Sequence, residues 1–407
     1  MLRPVRSFLR TNRPLALVRT AAVVSLAASS LVSCGETPRP TGAHPLYPAL
    51  DLDTLPGEGG AASGPYEVPE LPRTTREVTA NSREELEAAC TTGPAHVTVP
   101  GSAGHLGVVN LGGYDDCDVE LGAEVTLDWL VIGSLRGPMR APVHRLRVRG
   151  GQLGGVYIDE GSTDVVLDGV IIDNAVAPEG ARQNTAIQVL AIDRFAVINS
   201  MIRMVPIDAG GGVLDGCAYL GVGARNVMFA NDNVATAGNR NSWGFRIGGG
   251  ENYLFVDLSV RVSFHKLIRM NDGPVDYVVV RGGTWMREAT RTVDGLELND
   301  AFAQVGGTLD QVHIEDTDVY LLGSTPVAYG MLNVPDQAGR SWKTVGLHWH
   351  ARSAEAVSDT LLAEYARLCP SGATCDYGVG TNTYDYDPGL TFPSSPWRPG
   401  VPTPDSR

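Results

Sequence analysis

The sequence predicts an all-β chain wound as a parallel β-helix, and three observations carry that prediction. A six-residue element recurs along the middle of the chain, with apolar residues at both ends and a turn residue in its third position. That third position reads Gly150, Gly169, Asn199, Asn231, Asp257, Gly282 and Asp316, at intervals of 19 to 34 residues. Gly, Asn and Asp tolerate a left-handed backbone, so the column marks one bend per repeat. A second element with period-2 alternation precedes each full copy, as in Ile187-Gln188-Val189, Phe245-Arg246-Ile247 and Ile268-Arg269-Met270. Two strands and a bend in each unit predict one coil per repeat, with coils stacked about 4.8 Å apart. Asn199, Asn231 and Asp257 are then expected on successive rungs, inside the bend and bonded to backbone.

The chain opens on a segment expected to lie outside the fold. Arg3, Arg6, Arg10, Arg13 and Arg19 precede an apolar stretch, Thr20 to Val32, too short to span a membrane. It ends in Leu31-Val32-Ser33-Cys34, which resembles a bacterial lipobox. The resemblance implies a signal peptide over 1–33 and a lipid anchor on Cys34. Gly35, rather than Asp, follows the cysteine, as in lipoproteins sent to the outer membrane. Residues 34–72 are rich in Pro, Gly, Ala and Ser and read as a flexible tether.

Ser82-Arg83-Glu84-Glu85 reads as a capping box opening a short helix over about 83–90, a cap for the open apolar end of the coil. The β-helix is expected over 73–352. An amphipathic helix is expected at 353–368, with Leu361, Leu362, Tyr365 and Leu368 on its apolar side, and an irregular tail follows to 407. Export permits disulfides. Cys90 with Cys117, and Cys369 with Cys375, are the expected pairs, which leaves Cys217 as a buried thiol on an apolar strand.

The repeat form is similar to the pectate-lyase-like right-handed parallel β-helix superfamily over roughly residues 80–350. The resemblance implies fold rather than activity. The sequence shows no pectate lyase signature that aligns, and it lacks the paired aspartates of the β-helix galacturonan hydrolases.

With a formal net charge of −14, the chain lacks the basic footprint that nucleic acid demands. Local cations therefore stand out. In the stacked coil the outward column of the alternating strand is expected to read Tyr157, Gln188, Tyr219, Arg246, Arg269, Glu297, with Trp243 just before Arg246. Aromatic faces beside cations suit an acidic polysaccharide. Arg246, Trp243, Tyr219, Glu297 and Asn271 are the candidate substrate-binding residues. The run Ser263 to Asp272 concentrates His265, Lys266, Arg269, Asn271 and Asp272. β-Elimination from a uronic acid needs a base beside the carboxylate and cations for the developing enolate. Lys266, Arg269 and His265 are the catalytic candidates, with Arg246 as neutraliser. For hydrolysis the carboxylates would be Glu297 with Asp300 or Asp294.

No zinc spacing, phosphate loop, dinucleotide fingerprint or serine elbow is evident. Asp376, Asp385 and Asp387 match no calcium loop, so no cofactor is expected. The sequence is read as a surface lipoprotein that binds acidic polysaccharide, with cleavage as lyase or hydrolase a further expectation. The competing class is a non-catalytic surface or adhesion protein with the coil as scaffold.

Overall fold

The computed structural model describes residues 67–133, 141–178, 184–205, 215–236, 241–262, 266–270, 273–287, 291–293, 296–298, 303–305, 311–322, 341–367, 369, 371–394, 397, 399 and 401–404. The expected signal peptide, Cys34 and most of the expected tether lie outside them.

The chain is a right-handed parallel β-helix. Its strands stack in three columns, here called the first, second and third sheets. The first sheet runs from Ala95–Val99 through Thr163–Asp168, Asp193–Ile198, Ala224–Ala230, Gly250–Val256 and Val275–Arg281 to Gln311–Glu315 and Ser341–Val345. The second contains Ile171–Asp173, Met201–Met204, Asn233–Thr236, Ser259–Val262, Thr284–Arg287, Asp318–Leu321, His348–Ala351 and Thr383–Tyr386. The third contains Val156–Ile158, Thr185–Leu190, Asp215–Val222, Asn241–Ile247, Lys266–Met270 and Ala303–Val305. Every pairing within these columns is parallel.

The expected bend lies between the first and second sheets. All seven of its residues hold a positive φ, from 47° at Asp316 to 67° at Gly150. Asn199 and Asn231 are on successive rungs, but they stand on the outside of the bend rather than within it. Asn231 Nδ2 donates to Asn199 Oδ1 at 2.7 Å, and Asn199 Nδ2 donates to Asp168 Oδ1 at 3.2 Å. The inside of the bend belongs to the next residue along. There a side chain from one rung accepts the corner N–H of the rung before it. Val170 N–H donates to Ser200 Oγ at 3.2 Å, and Ser200 N–H donates to Asp232 Oδ1 at 2.7 Å. These are N–H groups that the ladder would otherwise leave unmatched.

Asp232 is fully buried, and its Oδ2 has no hydrogen-bond partner. Burial pushes its carboxyl well above the usual carboxylate range, against the pull of the Ser200 N–H. A carboxyl raised in the folded state stabilises below its unfolded value, near 3.8, and loses that contribution as pH climbs toward the folded value. Asp232→Asn keeps the acceptor and removes the ionisation. It should raise the melting temperature at pH 8, by the equivalent of about 1–3 kcal/mol, with a gain that vanishes near pH 4. Thermal melts of both proteins across that range check it.

Inside the coil an aromatic stack runs up the axis. Phe195, Tyr219, Phe229, Phe245, Phe255 and Trp285 are all buried, with neighbouring ring centroids 4.7 to 6.4 Å apart. The N-terminal end is closed by helix α1, Arg83–Thr91. Its N-cap Ser82 accepts the Glu85 N–H at 3.2 Å, and Glu85 reaches back to the Asn81 N–H at 2.7 Å. The Cys90–Cys117 disulfide pins this cap to the first sheet. At the other end helix α2, Asp359–Arg367, buries Leu362 and Tyr365. It is shorter than expected, because 353–358 forms turns, and Leu368 lies outside the described residues. The Cys369–Cys375 disulfide follows it, and Cys217 is a buried thiol.

Residues 67–73 and the described residues of 392–404, at the two ends of the described chain, run along the outside of the coil. The last residues expected to belong to the tether, 67–72, lie on the first sheet. Val68 and Leu71 pack on its outward column, Val166, Ala196, Met228, Leu254 and Val279. The backbone N–H groups of Glu67, Glu70 and Arg73 donate to Asn226, Asp164 and Asp116 at 3.3, 2.9 and 2.9 Å. Three extended residues advance about 10 Å, the height of two rungs, so every third N–H meets every second rung. The expected tail is also partly ordered against the coil. Thr374–Asp376 and Thr383–Tyr386 add further strands. Beyond them, Trp397 and Phe392 pack with Ala235, Met286 and Tyr320 on the second sheet. Arg203 donates to the Pro404 carbonyl at 3.3 Å, and Asn233 to that of Pro402 at 3.0 Å.

Candidate functional site

The third sheet carries the cationic column, and the register corrects its membership. Tyr157 pairs with Gln188, Gln188 with Leu220, Leu220 with Arg246, Arg246 with Arg269 and Arg269 with Gln304. Leu220 therefore holds the place expected for Tyr219. Tyr219 pairs with Phe245 and lies wholly buried in the core, because a shift of one residue along a strand moves a side chain to the opposite face. Gly221, two residues on and facing the same way, leaves the space that the Tyr219 ring takes up: a Cβ there would clash with the Tyr219 hydroxyl.

Glu297 is likewise not the next member. It belongs to Leu296–Leu298, which pairs antiparallel with Arg291–Val293 in a separate two-stranded ribbon between two turns of the coil. Gln304 takes its rung. The side chains of Glu297 and Lys266 fall outside the described residues, as do His265, Asn271, Asp272, Asp294 and Asp300 in full. Lys266 opens the strand Lys266–Met270, and its Cα is the partner of Trp243.

Arg246 and Arg269 occupy adjacent rungs, both half-buried, and share one support. The Arg269 guanidinium carbon stands 4.7 Å from the centroid of the Trp243 ring, and that of Arg246 stands 5.7 Å from it. Both lie within the range of a cation–π attraction. Trp243 itself is only 2% exposed. It is thus a base on which the two cations rest, and not a surface on which a sugar could stack. Tyr157 is also no platform, since it is buried with Trp129 and Val131 on the outer side of the same sheet. Of the column expected from the sequence, the two cations fall on adjacent rungs, and the aromatic faces of Tyr157, Tyr219 and Trp243 are buried. The pair sets two like charges on adjacent rungs, and a guanidinium is a donor that suits an oxyanion.

A second group was not expected. Asp318, His348 and His350 bring three ligand-type atoms within 4.8 Å of one another on the second sheet. The signal available in the sequence is His348-Trp349-His350, since residues two apart on a strand face the same side. Its carboxylate lies on the previous rung, thirty residues earlier, outside any sequence spacing typical of a zinc site.

No family model matches the chain, and no curated protein matches it. Among solved structures, the chain is similar to the ORF18 protein of Geobacillus virus E2, at 9% identity and a TM-score of 0.42, over 76% of this chain and 61% of that one. It is also similar to a pectate lyase from a Bacillus species in complex with trigalacturonate, at 10% identity and a TM-score of 0.37, over 69% of this chain and 84% of that one.

Proposed function

We propose that this chain is a lipid-anchored envelope protein whose third sheet binds an acidic polysaccharide. The observation that carries the reading is the pair Arg246 and Arg269, held in register on successive rungs of an otherwise acidic protein and propped on one buried tryptophan. A polymer of uronic acids presents carboxylates at regular intervals, as the coil presents its rungs. The guanidinium fork suits a planar carboxylate. Pre-positioning on Trp243 lowers the ordering cost that long side chains otherwise incur on binding. The anchor rests on the lipobox at Cys34. Cys34→Ser should abolish membrane association and the acyl mass at the mature N-terminus. Unchanged fractionation and mass would remove the anchor from the proposal.

The test of the site is calorimetric titration of the full chain with acidic and neutral oligosaccharides. Arg269→Ala should weaken binding of a uronic-acid oligomer by about 2–5 kcal/mol, the scale for truncating one partner of a desolvated charge pair. Parental binding should weaken as salt rises. Equal affinities for parent and variant, or no binding by either, would leave the pair as a structural feature. Absorbance of unsaturated product in the same samples reads whether binding leads on to β-elimination.

A further inference from the structure

We propose that Asp318, His348 and His350 form a binding site for a divalent ion of the zinc class. Asp318 begins the second-sheet strand Asp318–Leu321, and the histidines lie on the next, His348–Ala351. Asp318 Oδ1 stands 3.2 Å from His348 Nδ1 and 3.2 Å from His350 Nε2. Zinc takes nitrogen and carboxylate oxygen at about 2.0–2.2 Å, and a tetrahedron on such bonds has edges of about 3.3 Å. Two edges of the triangle already have that length. The third joins the imidazoles, whose ring centroids are 4.2 Å apart, and His348 is half-exposed and free to turn toward the ion.

A second carboxylate and an aromatic ring stand beside His350, the carboxylate just beyond direct hydrogen-bond reach. The nitrogen of His350 that faces away from Asp318, Nδ1, lies 3.6 Å from Asp385 Oδ2 on the following rung. A carboxylate behind a ligating imidazole fixes its tautomer and raises its basicity. Tyr320 stacks on the same ring at a centroid distance of 4.0 Å, which holds its plane. The donor set of two imidazoles and one carboxylate suits zinc and its neighbours, and not calcium or magnesium, which prefer all-oxygen shells. Three protein ligands leave a fourth position for water or a ligand oxygen. The ion would also tie together two rungs near the C-terminal end of the coil, with a third engaged through Asp385.

The test is titration of the chelator-stripped full chain with zinc ion alone, against a chromophoric competitor, with cobalt(II) as a spectroscopic substitute. One equivalent should bind and raise the melting temperature, and cobalt should give the intense visible bands of a low-coordinate site. His348→Ala should weaken binding at least 100-fold and bleach those bands, while the melting temperature without metal stays at the parental value. Asp385→Asn should weaken binding about 10-fold, as loss of an outer partner does. Zinc stoichiometry and affinity unchanged in a His348→Ala/His350→Ala variant would overturn the proposal, as would displacement of zinc by equimolar calcium.

Discussion

Replacing Arg194 with alanine is expected to destabilise the coil by about 3–5 kcal/mol, the usual result of leaving a buried charge without its partner. Asp164, on the preceding rung, is almost wholly buried. It accepts from Arg194 Nε and Nη2 at 2.5 and 2.8 Å, from the Glu70 N–H at 2.9 Å and from Thr163 Oγ1 at 2.8 Å. Burial by itself raises this carboxyl. The bonds to Arg194 and to the Glu70 N–H outweigh it and hold the group below the usual carboxylate range. A carboxyl lowered in the folded state stabilises above its unfolded value, near 3.8, and loses that contribution as pH falls through the folded one. The parent should therefore lose stability steeply below pH 4, and Arg194→Ala should show a shallower loss. The same substitution should loosen the strap at 67–73, since Arg194 also reaches Glu67 at 3.3 Å. Denaturant midpoints at pH 7 and pH 3, with limited proteolysis near residue 70, measure both effects.

Phe229→Ala should cost a similar amount, about 3–5 kcal/mol. Phe229 is fully buried at the crossing of the aromatic stack. It meets Tyr219 at 4.9 Å and Phe245 at 5.0 Å edge-on, and it stacks on Phe255 at 5.8 Å. Truncation leaves a cavity bounded by rungs on both sides that cannot collapse without breaking register. In a solenoid each turn is held only by its neighbours. The loss should therefore appear as a second unfolding transition that splits the coil near residue 229, and not only as a lower midpoint. Phe229→Leu should restore most of the midpoint and a single transition.

The bend between the first and second sheets was legible because its left-handed backbone selects Gly, Asn and Asp. A second left-handed column was not. Asp116, Arg145, Asp164, Arg194, Asn226, Asn252 and Tyr277 sit on successive rungs at the start of the first sheet, with φ from 51° to 60°. Arginine and tyrosine carry no local preference for that conformation. Cross-rung bonds such as Arg145 to Asp116 at 2.5 Å and Asn252 to Asn226 at 2.9 Å offset it, and these exist only in the folded coil. The straps were hidden for a related reason. Val68, Leu71, Phe392 and Trp397 are isolated apolar residues in Pro-rich segments, and their partners lie far away along the chain.

The candidate face was half legible. Gln188, Arg246 and Arg269 fall where period-2 alternation puts them. Tyr219 does not, because a strand of mixed apolar residues, Cys217-Ala218-Tyr219-Leu220, gives no alternation that fixes which face is which. Glu297 failed because a ribbon is inserted before the next rung, and insertions of this kind leave repeat intervals uninformative. The two histidines stand two apart in the sequence and went unremarked, and their carboxylate partner becomes a neighbour only when the rungs stack.

The most direct test of the polysaccharide reading is to label the arginines of the full chain with a dicarbonyl reagent, with and without a saturating uronic-acid oligosaccharide, and to read each site by mass spectrometry. Arg246 and Arg269 should be protected by the ligand, while Arg225, half-exposed on the first sheet beside Glu251, should label equally in both samples. Unchanged labelling of Arg246 and Arg269 under saturating ligand, or protection confined to arginines of the first and second sheets, would contradict the assignment of the binding face to the third sheet.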